Sequence, residues 1–166
     1  MQEGFRPDTR VLPEAPQLTP DLAAHLGYLE AALAEAHAAP LSQRKALLVV
    51  MLVDAHVERL FAATRHGADD VLAFREGLEA RYSVLAVIHD IALQRPDGPR
   101  LVTEAVAVPL ADYPGLDVAD FMVSLYNDHT VPRVMIAMAD GSRRPAHEVL
   151  VEAVAALTAA SQGTAR

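Results

Sequence analysis

The sequence predicts a mainly α protein of the α+β class, with a core of three antiparallel helices and a small C-terminal α/β portion. Two long apolar patterns with helical spacing, at residues 41–65 and 68–94, are separated by little more than His66 and Gly67. A connection that short folds the second helix back on the first. A shorter pattern of the same period at residues 20–38 adds a third helix to this pair.

The chain after residue 94 has a different character, which predicts the α/β portion. Residues 95–99 are strong turn formers, and a Val-rich segment follows at 101–110. We interpret 101–110 as a strand near a sheet edge, because Pro109 cannot donate a hydrogen bond to a neighbouring strand. A helix over the same residues is the open alternative, and it would make the protein all-α.

The predicted organisation is one globular domain at residues 20–166, preceded by an extended arm at residues 1–19. A length of 166 residues is typical of a single domain. The domain divides into the helical core at 20–94 and the α/β portion at 99–166. Repeated prolines in the arm fix φ and keep the preceding residues out of the α region, so we expect the arm to fray or to lie along a neighbouring molecule.

The first helix has a strong start signal at Thr19, Pro20 and Asp21. These residues supply an N-cap hydroxyl, a proline at the first helical position and an acid near the positive end of the helix dipole. One apolar stripe then faces the core: Leu22, Leu26, Leu29, Leu33 and Ala36. His25 is expected on the solvent side, and Pro40 ends the helix.

The second helix begins near Ser42, and its segment 46–53 is apolar on every side. Such a helix has to be covered by more than one element, so we expect it at the centre of the core with Leu48 or Val49 fully buried. The segment is far shorter than the roughly 20 residues needed to span a bilayer. The arm also lacks the apolar run of a signal peptide, so the sequence predicts a soluble, cytoplasmic protein.

Charged residues are expected along the seam between the second and third helices. Antiparallel pairing places Asp54 near Arg81, and Glu58 near Arg75 or Glu76. Two carboxylates one turn apart beside an apolar segment can have a raised pKa suited to proton transfer. Ion pairs with the two arginines would instead lower the pKa of both carboxylates and form a structural seam, and this is the interpretation we favour.

His89 and Asp90 interrupt the apolar run of the third helix. At least one of them is expected to be partly buried and therefore to need a hydrogen-bond partner. The partner can be a backbone carbonyl, a water or a side chain such as Lys45, which antiparallel pairing brings close. A ligand is the functional alternative.

The α/β portion is predicted to continue with a short helix at 117–127 and a strand at 131–139, which Asp140 and Gly141 terminate. A final amphipathic helix follows at 145–159. Its inward positions are Val149, Leu150, Ala153, Val154 and Leu157.

Composition excludes several kinds of site and partner. The chain has no Cys, which rules out a disulfide framework and thiolate metal sites. Its net charge of −8 argues against nucleic acid, which is bound by clustered Lys and Arg. No two of the seven histidines lie three or four residues apart, so we predict neither a metal nor another cofactor. His25, His37 and His66 are expected to be solvated surface residues.

The densest polar cluster lies in an irregular segment between the predicted short helix and the strand that follows it. We predict here a solvent-accessible ligand site, suited to a carboxylate or a peptide, made by Tyr126, Asn127, Asp128, His129 and Arg133. The loop carries more hydrogen-bonding groups than a short turn can satisfy internally, and loops carry binding sites disproportionately. The structural alternative is that Asn127 caps a helix and Asp128 forms a turn.

The same segment resembles, over ten residues, the adaptor of the bacterial Clp protease. The matching positions are Val123, Leu125, Asn127, Asp128 and Pro132. In that family the Asn-Asp pair helps to bind the amino terminus of a peptide, which the resemblance implies for Asn127 and Asp128. Val131 stands where the family has Thr, and the chain after this segment is too short for the rest of that domain, so the sequence is not assigned to the family.

The predicted function is a non-catalytic module that self-associates, as a homodimer, or binds another protein. An apolar-rich chain with a proline-rich arm and no convergent set of catalytic residues fits an interaction role. The alternative is a small helical-bundle enzyme or a small-ligand sensor, with or without a metal.

Overall fold

The computed structural model of the chain describes residues 19–64, 70–107, 118–120, 122 and 130–163. The predicted fold class is confirmed, because helices pack around a common core and a three-stranded antiparallel sheet flanks them. The predicted arm lies outside the described residues, except for Thr19. None of the helices described is both long and apolar enough to span a bilayer.

Helix α1 spans Pro20–His37 and begins as the sequence predicts. The side-chain oxygen of Thr19 accepts a hydrogen bond from the backbone N–H of Leu22 at 3.3 Å, which satisfies one of the free donors of the first turn. Three leucines of the predicted stripe are buried: Leu22, Leu26 and Leu29. The expectation for His25 is wrong, because this side chain is only 6% exposed.

Helix α2 spans Gln43–Thr64 and packs against α1, α4 and α5, with the sheet near its start. Val49 is completely buried, as one of the two predicted positions. The other position, Leu48, is not buried, since Leu48 and Met51 are 50% and 48% exposed. The neighbouring helices cover most of the circumference of α2 but leave one strip open to solvent, and these two side chains lie on it.

The predicted third helix is two helices, α3 at Val71–Arg81 and α4 at Ser83–Ala92. Tyr82 separates them with φ −132° and ψ 84°, which lie outside the helical region. The prediction of one continuous helix over 68–94 is therefore wrong. The residues that meet across the seam with α2 differ accordingly from the predicted ones. Asp54 contacts Arg75 instead of Arg81, whereas the predicted proximity of Glu58 to Arg75 is confirmed at 4.0 Å.

The sheet has the order β1-β2-β3 and is antiparallel throughout. Strand β1 spans Arg100–Ala107 at one edge, which confirms the strand interpretation for these residues. Strand β2 spans Thr130–Ala137 and pairs with β1 in a register that sets Leu101 opposite Ile136. Gly141 adopts φ +86° in the turn that follows β2, where glycine carries no steric penalty.

Strand β3, at Arg143–Pro145, was not predicted and leads directly into helix α5 at Ala146–Gly163. All five predicted inward positions of this helix are buried. Residues 118–120 and 122 are helical, as predicted for the short helix that precedes β2.

Candidate functional site

The described residues enclose an open cleft of about 780 Å³. It lies where the end of α1, the α1–α2 connection, β2 and the start of α5 meet. Most of its wall is apolar. The polar side chains on the wall are His37, Ser42, Arg133, His147 and Glu148.

Local hydrogen bonds hold the elements that form this cleft. The backbone N–H of Val134 in β2 donates to the carbonyl oxygen of Pro40 at 3.1 Å, which fastens the α1–α2 connection to the sheet. Ser42 Oγ accepts from the backbone N–H of Lys45 at 3.3 Å and caps the start of α2. Strand β3 runs straight into α5, and residues of the first turn of α5 line the cleft together with residues of the α1–α2 connection.

Two histidines meet on the wall of the cleft, one from each end of the chain. His37 is the last residue of α1 and His147 is the second of α5, and their ring centroids are 4.3 Å apart at a tilt of 37°. Both side chains reach solvent. Partial burial lowers the pKa of His147 from 6.5, and the neighbouring His37 lowers it further by repulsion, while Glu148 acts in the opposite direction. The pair therefore favours the neutral form of His147.

Arg133 is the one residue of the predicted ligand site whose position is described, and it lies on the wall of this cleft. Its guanidinium donates two hydrogen bonds to the carboxylate of Asp120, at 2.8 and 3.1 Å, and one to the carbonyl of Pro132 at 2.8 Å. The charge of Arg133 is thus balanced within the protein. The other four predicted residues, Tyr126 to His129, lie outside the described residues, and so do the Asn and Asp of the Clp-adaptor resemblance.

A buried polar cluster that the sequence did not predict joins α1, α2 and α5. His25 Nδ1 and His56 Nδ1 are 3.0 Å apart, and His56 Nε2 is 3.2 Å from Ser161 Oγ. One of the two facing Nδ1 atoms must carry the proton, so His56 either donates to His25 and accepts from Ser161, or the reverse. None of these three residues lines the cleft, which favours a structural role for them.

Burial also determines the charge of this cluster. His56 is completely buried, and desolvation, with repulsion from His25 and Arg59, lowers its pKa to about 4 against a weaker opposite effect of Asp21. The pKa of His25 is lowered as well, again mainly by desolvation. At neutral pH both imidazoles are uncharged, and the hydrogen bonds among them join the three helices.

A second polar cluster joins α2, α3 and α4. Arg75 donates to Asp54 Oδ1 at 2.6 Å, and His89 Nδ1 lies 2.8 Å from the same oxygen. Arg75 is only 7% exposed, so this ion pair is a structural seam, as favoured from the sequence. The expectation that at least one of His89 and Asp90 is partly buried is confirmed, because the side chain of His89 is 18% exposed. The suggestion that Lys45 is the hydrogen-bond partner of His89 or Asp90 is wrong, because Lys45 pairs with Glu35 at 3.7 Å instead.

Three large apolar side chains of α1 and α2 are exposed to solvent, and we name them together the α1–α2 face. They are Tyr28 of α1 and Leu48 and Met51 of α2, whose exposed fractions are 68%, 50% and 48%. An ion pair bridges the two helices at each end of this face: Asp21 with Arg59 at 2.9 Å, and Glu35 with Lys45 at 3.7 Å.

Within the described part of the chain, no group of three or more His, Cys, Asp or Glu side chains is arranged to hold a metal ion. The two histidines of the cleft are therefore not part of a three-ligand cluster there. In comparisons with protein-family models, curated proteins and solved structures, the chain matches none of them.

Proposed function

We propose that the protein is a non-catalytic self-association module that forms a homodimer through the α1–α2 face. The observation that carries this proposal is the exposure of large apolar side chains on two adjacent helices. In a monomer these side chains stay in contact with water and do not stabilise the fold by burial. The proposal keeps two sequence predictions, a cytoplasmic location and, from the net charge of −8, no nucleic-acid partner.

Helical geometry supports a continuous apolar surface. Asp21, Tyr28 and Glu35 are spaced by seven residues, and an α-helix drifts only about 20° over that interval, so Tyr28 lies between the two ion-paired acids on one side of α1. On α2, Leu48 and Arg59 are eleven residues apart, close to three full turns. Since the ion pairs bridge the helices on this side, Tyr28 and Leu48 flank one seam, and Met51 lies one turn after Leu48 on α2.

The charges at the two ends of the face suit a two-fold dimer. In a two-fold interface whose axis is perpendicular to the helices, the end that carries Asp21 and Arg59 faces the end that carries Glu35 and Lys45 of the second copy. Each end has one acid and one base, and opposite charges can therefore pair across the axis. The apolar side chains at the centre are then removed from water, which stabilises the dimer by about 25 cal/mol per Å² of apolar area buried.

Light scattering on the purified protein tests this proposal. We expect the wild-type protein to have about twice the monomer mass of 17.8 kDa. The double variant Leu48→Glu with Met51→Glu should have the monomer mass, because it places carboxylates at the centre of the interface. Leu72→Glu is the matched control, since Leu72 is 62% exposed on α3 outside the face, and it should remain dimeric.

Two results would contradict the proposal. One is a wild-type mass of 17.8 kDa across micromolar concentrations. The other is an oligomer that survives the double substitution but is lost in Leu72→Glu, which would place the interface on α3.

A further inference from the structure

We propose that the cleft between α1, β2 and α5 is a binding site for a small aliphatic monocarboxylate, with the carboxylate at His37 and His147 and the aliphatic chain along the apolar wall. This site lies apart from the α1–α2 face and adds a ligand to the proposed function. The cleft volume of about 780 Å³ falls within the roughly 300 to 1,000 Å³ of typical small-molecule sites.

The wall of the cleft determines the body of the ligand. Small and aliphatic side chains from four elements line it, among them Ala36, Pro40, Val134 and Leu150. A wall of this kind offers no hydrogen bonds to a polar ligand body and gains free energy by covering an apolar one. An unbranched aliphatic chain meets both conditions.

The two histidines determine the head group. His37 and His147 come from different helices and place their rings 4.3 Å apart on a wall that is otherwise mostly apolar. When one ring gains a proton, its positive charge lies close to the other imidazole. A second proton is then opposed by repulsion between the two positive rings. A carboxylate beside the rings removes that opposition, because it pairs with the added positive charge.

The remaining charges around the cleft limit the ligand to one negative charge. Arg133 on β2 is already balanced by Asp120, and Ser42, which precedes α2, is neutral, so neither adds a free cation. Glu148, beside His147 on α5, adds a negative charge of its own. A dianion would therefore be repelled more than a monocarboxylate.

The start of α5 adds to this arrangement. Its first residue, Ala146, follows Pro145, whose side chain offers no acceptor to the backbone N–H groups of the first turn. These donors and the positive end of the helix dipole lie at the wall that carries His147. They favour an anion at the same end of the cleft as the two imidazoles.

Binding of the carboxylate is expected to take up a proton. The pKa of His147 is lowered in the free protein by burial and by His37, and a bound anion acts in the opposite direction. By linkage, affinity then rises as pH falls through the range in which the bound form gains its proton. The net charge of −8 repels an approaching anion. The affinity for the carboxylate therefore depends on the proton gained at the site and not on long-range electrostatic attraction.

Calorimetric titration with octanoate, and with octanol as the uncharged control, tests the site. We expect octanoate to bind about tenfold more tightly at about pH 6 than at about pH 8, since one linked proton changes affinity by up to tenfold per pH unit. Octanol should bind weakly and equally at both values. The heat of octanoate binding should also depend on the ionisation heat of the buffer, which reports proton uptake directly.

Two variants separate the head-group site from the wall. His37→Gln combined with His147→Gln should abolish the pH dependence and leave octanoate no tighter than octanol. Ala36→Leu should weaken both ligands by filling the cleft, whereas Ala80→Leu, on an exposed position of α3, should change neither. Circular dichroism and melting curves would establish that each variant is folded.

Three outcomes would overturn the proposal. The first is equal affinity for octanoate and octanol at the lower pH. The second is an octanoate affinity that is the same at both pH values, and the third is a histidine double variant that retains the wild-type pH dependence.

Discussion

His56 shows how far burial controls the chemistry of a single side chain in this protein. Its imidazole is 0% exposed and uses both nitrogens in contacts with His25 and Ser161. A neutral ring satisfies these contacts, whereas a protonated ring would have to remain without water around its charge. The folded state therefore disfavours the proton that the unfolded chain accepts readily.

The first prediction is that stability falls in mild acid because of this cluster. The pKa of His56 is 6.5 in an unfolded chain and about 4 in the folded one, so the unfolded state binds more protons between these values. Stability is thus fully present above pH 6.5 and is lost as pH falls towards about 4. We expect the free energy of unfolding, measured with urea, to drop by up to about 3 kcal/mol for His56.

The control for this prediction is a variant with His25→Leu and His56→Leu. It removes both titrating rings and replaces them with apolar side chains that suit a buried position. Its stability should vary less than that of the wild-type protein over the same pH range. An equally steep loss in the variant would assign the acid sensitivity to other groups, such as the carboxylates of the ion pairs.

At the scale of elements, the break at Tyr82 determines which side chains meet. Because α3 and α4 are separate, Arg75 from α3 and His89 from α4 both reach Asp54 on α2. One carboxylate thus connects three helices. The exposed pair of Asp21 and Arg59 connects only two helices and lies in water.

The second prediction compares two Arg→Ala substitutions. Arg75→Ala leaves Asp54 and His89 partly buried without their cation, and we expect it to lower the free energy of unfolding by about 2 to 3 kcal/mol. Arg59→Ala removes an exposed ion pair, which typically contributes about 0 to 1 kcal/mol. Urea unfolding of the two variants measures the difference. Equal losses would show that the helix junction does not depend on Arg75.

At the scale of the whole molecule, folding and assembly are coupled if the α1–α2 face dimerises. Two folded chains that bind each other draw the folding equilibrium towards the dimer by mass action. If the protein stayed monomeric, its free energy of unfolding would not depend on protein concentration. The melting temperature therefore reports assembly without any measurement of mass.

The third prediction is that the melting temperature of the wild-type protein rises with protein concentration. In the Leu48→Glu, Met51→Glu variant it should stay constant, because this variant does not assemble. Scanning calorimetry or circular dichroism over a hundredfold range of concentration measures the effect. A constant melting temperature in the wild-type protein would mean that the face does not contribute to dimer formation in that range.

Much of this architecture follows from local sequence signals. The start of α1 at Thr19 and the inward positions of α5 depend on side chains a few residues apart, so periodicity and capping predict them. The break at Tyr82 has no such signal, since neither Gly nor Pro accompanies it. Strand β3 is too short, at Arg143–Pro145, to show the alternation of a strand.

The sites were harder to predict than the helices because they join distant parts of the chain. His25 has the spacing of a core position, three residues after Leu22 and four before Leu29, and the spacing was a better guide to its burial than its polarity. The rings of His37 and His147 meet across 110 positions of sequence. Only the docking of α1 on α5 brings them together, and no motif within either helix indicates it.

The backbone amide of Val134, which donates a hydrogen bond to Pro40, reports how stably β2 is attached to the α1–α2 connection. That amide can exchange its proton with solvent only when β2 separates from the α1–α2 connection. Its deuterium uptake therefore measures the free energy of opening that joint, separately from global unfolding. A molecule held in the cleft bridges both sides of the joint and has to leave before it opens, so occupancy would slow deuterium uptake at this amide while leaving the far end of α2 unaffected.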